Sequence, residues 1–440
     1  MLRALPGSLL AALLSLAAAA GCARSASVRA AEAGSYDELR RALTEELRRG
    51  SLDSDEARAI ARAVAEGEIA RAAPPRGVER LGEVRTCARH VEEALAGRAA
   101  GSDGVAVAAA LILLEAGLTD AEGVKRYAAE SAAAKRPGEN AALRALAARA
   151  LIAPGDGAAR RARMLDGDQE VRVSALRAAI AAADPADRGA LLEAARLDPY
   201  PLARTLAIRA SGALGGEVIA LALRDLWVLS DEPRREAIAE AWAAPRVLDA
   251  GGRAQLHWAI STQRGAPAIA AARALVRTGG ADAGEAVSVL VRAIGSGPGR
   301  DRVYAILSAP LEDAAVRAAL AETQGDPEDA VAFAAHARYV EASPDTVAPR
   351  ERAAAIAWMM KLAAGASTRA VLARGVLARA GVRQAVPLLE RDLRSREHPV
   401  REAAGIGLVE LGELPRAALL LADAEPHVRL AVACAMLRAS

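Results

Sequence analysis

Two stretches decide the fold: LDGDQEVRVSALRAAI (165–180) and LDPYPLARTLAIRASGAL (197–214), whose first residues lie 32 positions apart. Both read Leu-Asp, five residues, then Arg, which sets Asp166 with Arg172 and Asp198 with Arg204. HPVREAAGIGLVELG (398–412) and PHVRLAVACAMLRAS (426–440) return to the theme, the second with Asp423 six residues before Arg429. Between them, segments at 231–242, 266–280, 300–311, 326–340 and 350–360 fall at similar intervals, so the chain is periodic at close to thirty residues.

The spacing within one unit identifies its structure. Counted from Val400, the small or apolar residues Ala403, Ala404, Gly407, Leu408 and Leu411 share one face of a 3.6-residue helix, while Arg401, Glu402 and Glu410 fall off it. A Pro or Gly break precedes each such helix (Gly167, Pro199, Pro399, Pro426), and Pro in a first turn costs no hydrogen bond. Each unit is therefore helix, short turn, helix. Thirty residues in this form expose apolar surface on more than one side, so neighbours must stack. The expected fold is all-α, an α-solenoid of stacked two-helix repeats.

These residues resemble HEAT repeats, in which a turn Asp and a helix Arg bond along the stack and the second helix reads Val-Arg-x-Ala-Ala. The resemblance implies a structural ladder of Asp166, Arg172, Asp198, Arg204, Arg401, Asp423 and Arg429. Two places depart from it: Ser395 stands where Asp is expected before Arg401, and Leu229 before Arg235. HEAT-like repeats are assigned to 161–440, and 36–160 to an irregular helical N-terminal part of the same solenoid.

At the N-terminus, Arg3 precedes the apolar run SLLAALLSLAAAA (8–20), too short to span a bilayer as a mature helix and shaped like a secretory signal. Ala19-Ala20-Gly21-Cys22 is similar to the lipobox of bacterial lipoproteins, with Ala19 where Leu is commonest. That resemblance implies cleavage after residue 21 and lipidation of Cys22, with several acyl chains holding the protein on a membrane, where one would anchor only marginally. The alternative is an ordinary signal that leaves Cys22 incidental. Ala23 after the cysteine points, by the same resemblance, to an outer membrane facing the periplasm. Residues 22–35 read as a flexible tether.

Composition narrows the function classes. Aromatics make up 2% of the chain, with a single Phe (Phe333), which favours helices in contact through small side chains over large sheets. Basic residues number 57 against 55 acidic, interspersed rather than in blocks, so no basic stripe marks a nucleic-acid partner. Only Lys125, Lys135 and Lys361 are Lys, and an Arg excess beside so much Ala and Gly reads as GC-rich coding.

Cys87 and Cys434 lie near opposite ends of the chain, and in an extended solenoid such ends rarely approach within disulfide reach, so both are expected as small packing residues. Cys87 and His90 share a helix face but do not make a metal or thiol site alone. His398 and His427 occupy equivalent turns of adjacent units and read as surface histidines. Trp227, Trp242, Trp258 and Trp358 read as core fillers, with binding anchors as the alternative. No catalytic or metal motif is present, and no cofactor is implied.

The functional expectation is a non-enzymatic, lipid-anchored scaffold at a bacterial cell envelope. It would bind other proteins along a concave surface through Arg and Glu side chains and touch the membrane through lipidated Cys22. The alternatives are a solenoid enzyme of the HEAT-like bilin-lyase type, with its site in the groove, and a purely architectural envelope protein. Fold does not decide between these.

Overall fold

The computed structural model describes residues 25–439, except 74–75, 102, 119–140 and 281. The segment 1–21 and Cys22 lie outside the described residues. Every regular element among those described is helical. The chain divides into two compact units, one made of the N-terminal part to Gly97 with Leu389–Ser440, the other of Arg98–Leu388. This division follows contacts and does not coincide with the expected boundary at 160.

Unit 1 begins with α1 (Ala26–Ala33), α2 (Tyr36–Arg49), α3 (Ser54–Ala70) and α4 (Gly77–Val84), followed by a 3-10 stretch at Arg85–His90. In unit 2, α5 (Gly104–Glu115) and α6 (Ala141–Arg149) lead into helix pairs. These are α7 (Gly157–Met164) with α8 (Gln169–Ala182), α9 (Arg188–Leu197) with α10 (Pro201–Leu214), and α11 (Glu217–Val228) with α12 (Glu232–Trp242). Then come α13 (Arg253–Thr262) with α14 (Ala266–Thr278), α15 (Ala283–Gly295) with α16 (Gly299–Ser308), α17 (Ala314–Thr323) with α18 (Asp329–Glu341), and α19 (Pro349–Ala363) with α20 (Thr368–Arg379). The chain returns to unit 1 for α21 (His398–Glu410) and α22 (Pro426–Arg438).

In unit 2 the two helices of each pair pack together, and the second helices α8, α10, α12, α14, α16, α18 and α20 follow one another in an unbroken row. This is the expected all-α solenoid of two-helix layers. Local chemistry sets the starts: Asp168, Asp231 and Asp313 accept backbone N–H groups at the heads of α8, α12 and α17. Pro201, Pro233, Pro267 and Pro349 occupy first turns where no donor is lost.

Contacts between second helices run through small residues. Ala203, Ala207 and Ala210 of α10 and Ala237, Ala239 and Ala241 of α12 are buried. At Gly212 an added Cβ would stand 2.8 Å from the Ala241 Cβ, so glycine is what the close approach permits. Trp227 and Trp242 fill space among these alanines, fully buried and stacked at 5.1 Å between ring centroids.

Unit 1 corrects two expectations. Residues 26–33, expected as tether, form α1: Ser25 caps it by accepting from the Val28 amide at 3.3 Å, Gly34 ends it in the left-handed region, and Ala30 and Ala31 are buried. A run of alanines is a good helix former and small enough to lie against α2 and α3.

The second correction concerns the cysteines. α3, α4 and the 3-10 stretch pack directly on α22, so the sequence ends of the chain meet, and Cys87 and Cys434 form a disulfide with Cα atoms 5.1 Å apart. Both are buried, and no thiol remains at Cys87 to act with His90.

A crosslink between residues 347 positions apart constrains the unfolded chain strongly. Replacing both cysteines by Ala should therefore lower the stability of unit 1 by about 2–4 kcal/mol. In denaturant unfolding, a reducing agent should shift the native chain by the same amount and leave the variant where it is. An insensitive native chain would contradict the crosslink.

Candidate functional site

The helix-to-helix turn is the recurring constructed feature of the chain. At five of these turns an arginine of the helix that follows folds back, and its Nη1 donates to the carbonyls six and five residues earlier. Arg172 reaches Asp166 and Gly167 at 2.9 and 3.3 Å, and Arg204 reaches Asp198 and Pro199 at 2.7 and 3.4 Å. Arg317 reaches Leu311 and Glu312, both at 2.8 Å. Arg401 reaches Ser395 and Arg396 at 2.9 and 3.2 Å, and Arg429 reaches Asp423 and Ala424 at 2.6 and 3.1 Å. Carbonyls at the end of a helix lack an intrahelical donor, and a planar guanidinium supplies several at once.

The other edge of the guanidinium bridges layers. Arg172 binds both oxygens of Asp198 at 2.8 and 3.1 Å, and Arg401 both oxygens of Asp423 at 2.7 and 2.8 Å. Arg144 pairs with Asp166 at 3.3 Å, and Arg302 with Asp326. Each of these carboxylates also accepts the amide two residues on, from Asp168, Tyr200, Glu328 and Glu425, which tightens its own turn. Ser395 holds its turn in the same manner, its Oγ accepting from the Glu397 amide at 3.2 Å, but has no charge to offer a neighbouring layer.

At the last repeat Arg429 has no following aspartate. It pairs instead with Glu68 of α3 at 2.6 Å and lies 3.8 Å from the centroid of the Tyr36 ring. Arg235, after the non-standard Leu229, departs from the pattern and donates to the Trp227 carbonyl at 3.2 Å.

All seven ladder residues therefore stand at such turns. The periodicity did not single out Arg144, Arg302, Arg317 or Glu68. For Arg317 the signal was present, since Val316-Arg317-Ala318-Ala319 repeats the pattern of the matched units.

The remaining singled-out residues divide. Trp227 and Trp242 are core; Trp258 is half-buried beneath the Arg224 guanidinium at 4.7 Å, and Trp358 is half-buried against the His336 ring at 4.2 Å. Burial pushes the His336 imidazole below its ordinary value. The His398 and His427 rings come within 6.4 Å, and His427 bridges Glu83 and Glu402 at 3.3 and 2.9 Å. Among the described residues no group of three or more His, Cys, Asp or Glu is placed to hold a metal. No helix among them is long and apolar enough to cross a membrane.

Along the second-helix row, interlayer ion pairs join Glu236 to Arg273, Glu240 to Arg209 and Glu341 to Arg379. Tyr304 adds a 2.8 Å hydrogen bond to Glu236, and burial together with that carboxylate pushes its phenol up to about 12.

The first-helix side differs. Seven of the nine large apolar residues exposed among the described residues fall between 165 and 229: Leu202 on the second helix α10, and Leu165, Leu197, Val218, Leu221, Val228 and Leu229 on or just after first helices. Leu165, Leu197 and Leu229 hold one register position, the end of the first helix in three successive layers, and are 72–79% exposed. This edge therefore presents one exposed leucine per layer.

No protein-family model matches the chain. No curated protein matches it either. One solved structure it is similar to is the crystal structure of an engineered protein, a Northeast Structural Genomics Consortium target. The identity is 20%, over 83% of this chain and 96% of that one, with a TM-score of 0.27. A superposition that loose carries no argument about function.

The ladder predicts an acid response. Burial pushes the Asp423 carboxyl up, but Arg401 and the Glu425 amide outweigh it and hold the group below the usual carboxylate range. A depressed value in the folded state means stabilisation that is present at neutral pH and lost as pH falls from about 4 through that value. Asp423→Asn should lower stability at pH 7 and flatten its decline between pH 5 and 2. Parallel pH profiles for variant and native chain, measured by denaturant unfolding, would remove Asp423 from the ladder.

Proposed function

We propose that the chain is an exported, lipid-anchored HEAT-like solenoid that acts as a non-enzymatic protein-binding scaffold at a bacterial cell envelope. The observation that carries the scaffold reading is the row formed by Leu165, Leu197 and Leu229. Leucines left in water at one register of successive layers cost hydrophobic free energy that a monomer has no reason to leave unrecovered, and such patches mark interaction sites. A partner segment with apolar side chains at matching spacing would cover them. The charges of the second-helix row are largely spent on one another across layers, so recognition falls to the first-helix edge rather than to an Arg- and Glu-lined groove.

Two features support the address. The sequence before Cys22 has the form of a lipoprotein signal, and a buried disulfide suits an oxidising compartment beyond the cytoplasm. The Arg–Asp bonds between layers support the HEAT-like assignment.

A photo-crosslinking residue placed at 197 in the native envelope should give one reproducible adduct. Changing both Leu165 and Leu229 to Glu should abolish it while thermal unfolding stays unchanged. No adduct, together with turnover of a metabolite by the purified protein, would replace the scaffold with an enzyme.

Mass spectrometry of the mature N-terminus tests the anchor separately. A first residue Cys22 carrying acyl chains is expected, and a start beyond it would remove the membrane attachment while leaving the solenoid.

A further inference from the structure

We propose that unit 1 carries a binding cleft for an anionic amphiphile, a molecule with one carboxylate or phosphate head on an aliphatic body. The cleft, about 880 Å³ in volume, is formed by α2 and by residues between 390 and 424. Its size lies within the range of small-molecule sites. The inference does not rest on the scaffold reading, since it concerns different residues and a different kind of ligand.

Charge defines one part of the cleft. Arg40, Arg394, Arg401 and Arg416 line it together with Glu390 and Asp423. Two of the arginines are already neutralised: Arg401 by both oxygens of Asp423, and Arg416 by Glu390 at 3.0 Å. Arg394 is exposed, and its guanidinium has no partner among the described residues. Arg40 spends Nη2 on the Ala422 carbonyl at 2.8 Å, and the nearest carboxylate, Asp37, stands 3.9 Å from Nη1 on a side chain almost wholly in water. A pair so exposed neutralises little. Two cationic forks therefore line the cleft, Arg394 with no partner among the described residues and Arg40 paired only loosely with Asp37, and guanidinium geometry matches a carboxylate or phosphate oxygen pair.

The other part of the lining is aliphatic. Leu47, Leu393 and Leu419 are half-buried on the cleft wall, with Leu420 behind them. The uncharged polar side chains on the wall are two, each already in one hydrogen bond: the Thr44 hydroxyl donates to the Arg40 carbonyl at 2.7 Å, and the Ser395 hydroxyl accepts from the Glu397 amide. A peptide entering here would lose hydration from its backbone amides and find few partners for them, a cost that an aliphatic chain does not meet. This is why the lining suits an amphiphile better than an acidic peptide.

The test is calorimetric titration of the oxidised full chain with octanoate, decanoate and decyl phosphate below their aggregation limits, with inorganic phosphate, octyl glucoside and a hydrophobic acidic tripeptide alongside. The carboxylates and decyl phosphate should bind at one site, with affinity rising up to roughly fourfold per methylene. The carboxylate and phosphate series separate a fatty acid from a phosphorylated lipid as the source of the head. Arg394→Ala should weaken decanoate about tenfold and Arg394→Glu further, with unchanged thermal unfolding, because Arg394 supports no contact of the fold. Three outcomes would each overturn the proposal: octyl glucoside binding as well as decanoate, the tripeptide binding more tightly, or decanoate affinity unchanged in both Arg394 variants.

Discussion

Arginine on helix-end carbonyls is the interaction the layers depend on. A protein built from many short helices creates an unsatisfied group of C=O acceptors at every turn, and leaving them buried without donors would be costly. Here the donors come from side chains, and beyond the five turns described, Arg253 donates to the Gly279 carbonyl, Arg338 to Ala309 and Arg352 to Val340. Arg374, nearly fully buried, donates to Ala363 and Gly365 at the end of α19. Lysine is a point charge on a flexible stem and would not bridge two carbonyls and a carboxylate at once. The Arg excess thus has a structural use, whatever coding bias supplied it, and composition alone did not expose this because a count carries no geometry.

Periodicity made unit 2 readable because the same chemistry repeats at one spacing: Pro or Asp at the turn, Arg six residues on, Ala at the buried positions. Gly212 shows how tight that repetition is, since even a methyl there would press on Ala241. In unit 1 the repeat signal covers the C-terminal layers at 398–412 and 426–440 but not the N-terminal helices that pack on them. Glu68 meets Arg429 although 361 residues separate them, and nothing local to either residue announces the other. Cys87 and Cys434 escape a local reading for the same reason, since only the packing of α3 and α4 on α22 within unit 1 brings them together.

Closure of the C-terminal layers by N-terminal helices has a physical motive. An array of stacked layers exposes apolar surface at its last member, which needs a cap. α22 is buried along nearly its whole length, including Val428, Leu430, Val432 and Met436, and α3 lies against it with Ile60, Val64 and Ile69 buried in turn. The ion pair between Arg429 and Glu68 sits within this contact with both side chains out of water. Charges so placed are retained only when each finds its partner, so the pair penalises any other register between the two helices.

The same turn that binds layers also determines which side chains face solvent. Leu165 and Leu197 each immediately precede a ladder aspartate, and Asp198 is held from three sides: by Arg172 on its carboxylate, by the Tyr200 amide, and by Arg204 on its carbonyl. With that backbone fixed and the aspartate turned inward, the preceding leucine has no inward direction left, and it projects at a position set by the ladder rather than by its own packing. Leu229 itself stands where the aspartate is expected before Arg235, and the buried Ser230 after it donates its hydroxyl to the Leu226 carbonyl at 2.8 Å and serves its own layer only. Leu229 is nevertheless the most exposed of the three, and the register therefore persists where the interlayer bond does not. An outward leucine therefore stands at this helix end both with and without the ladder beneath it.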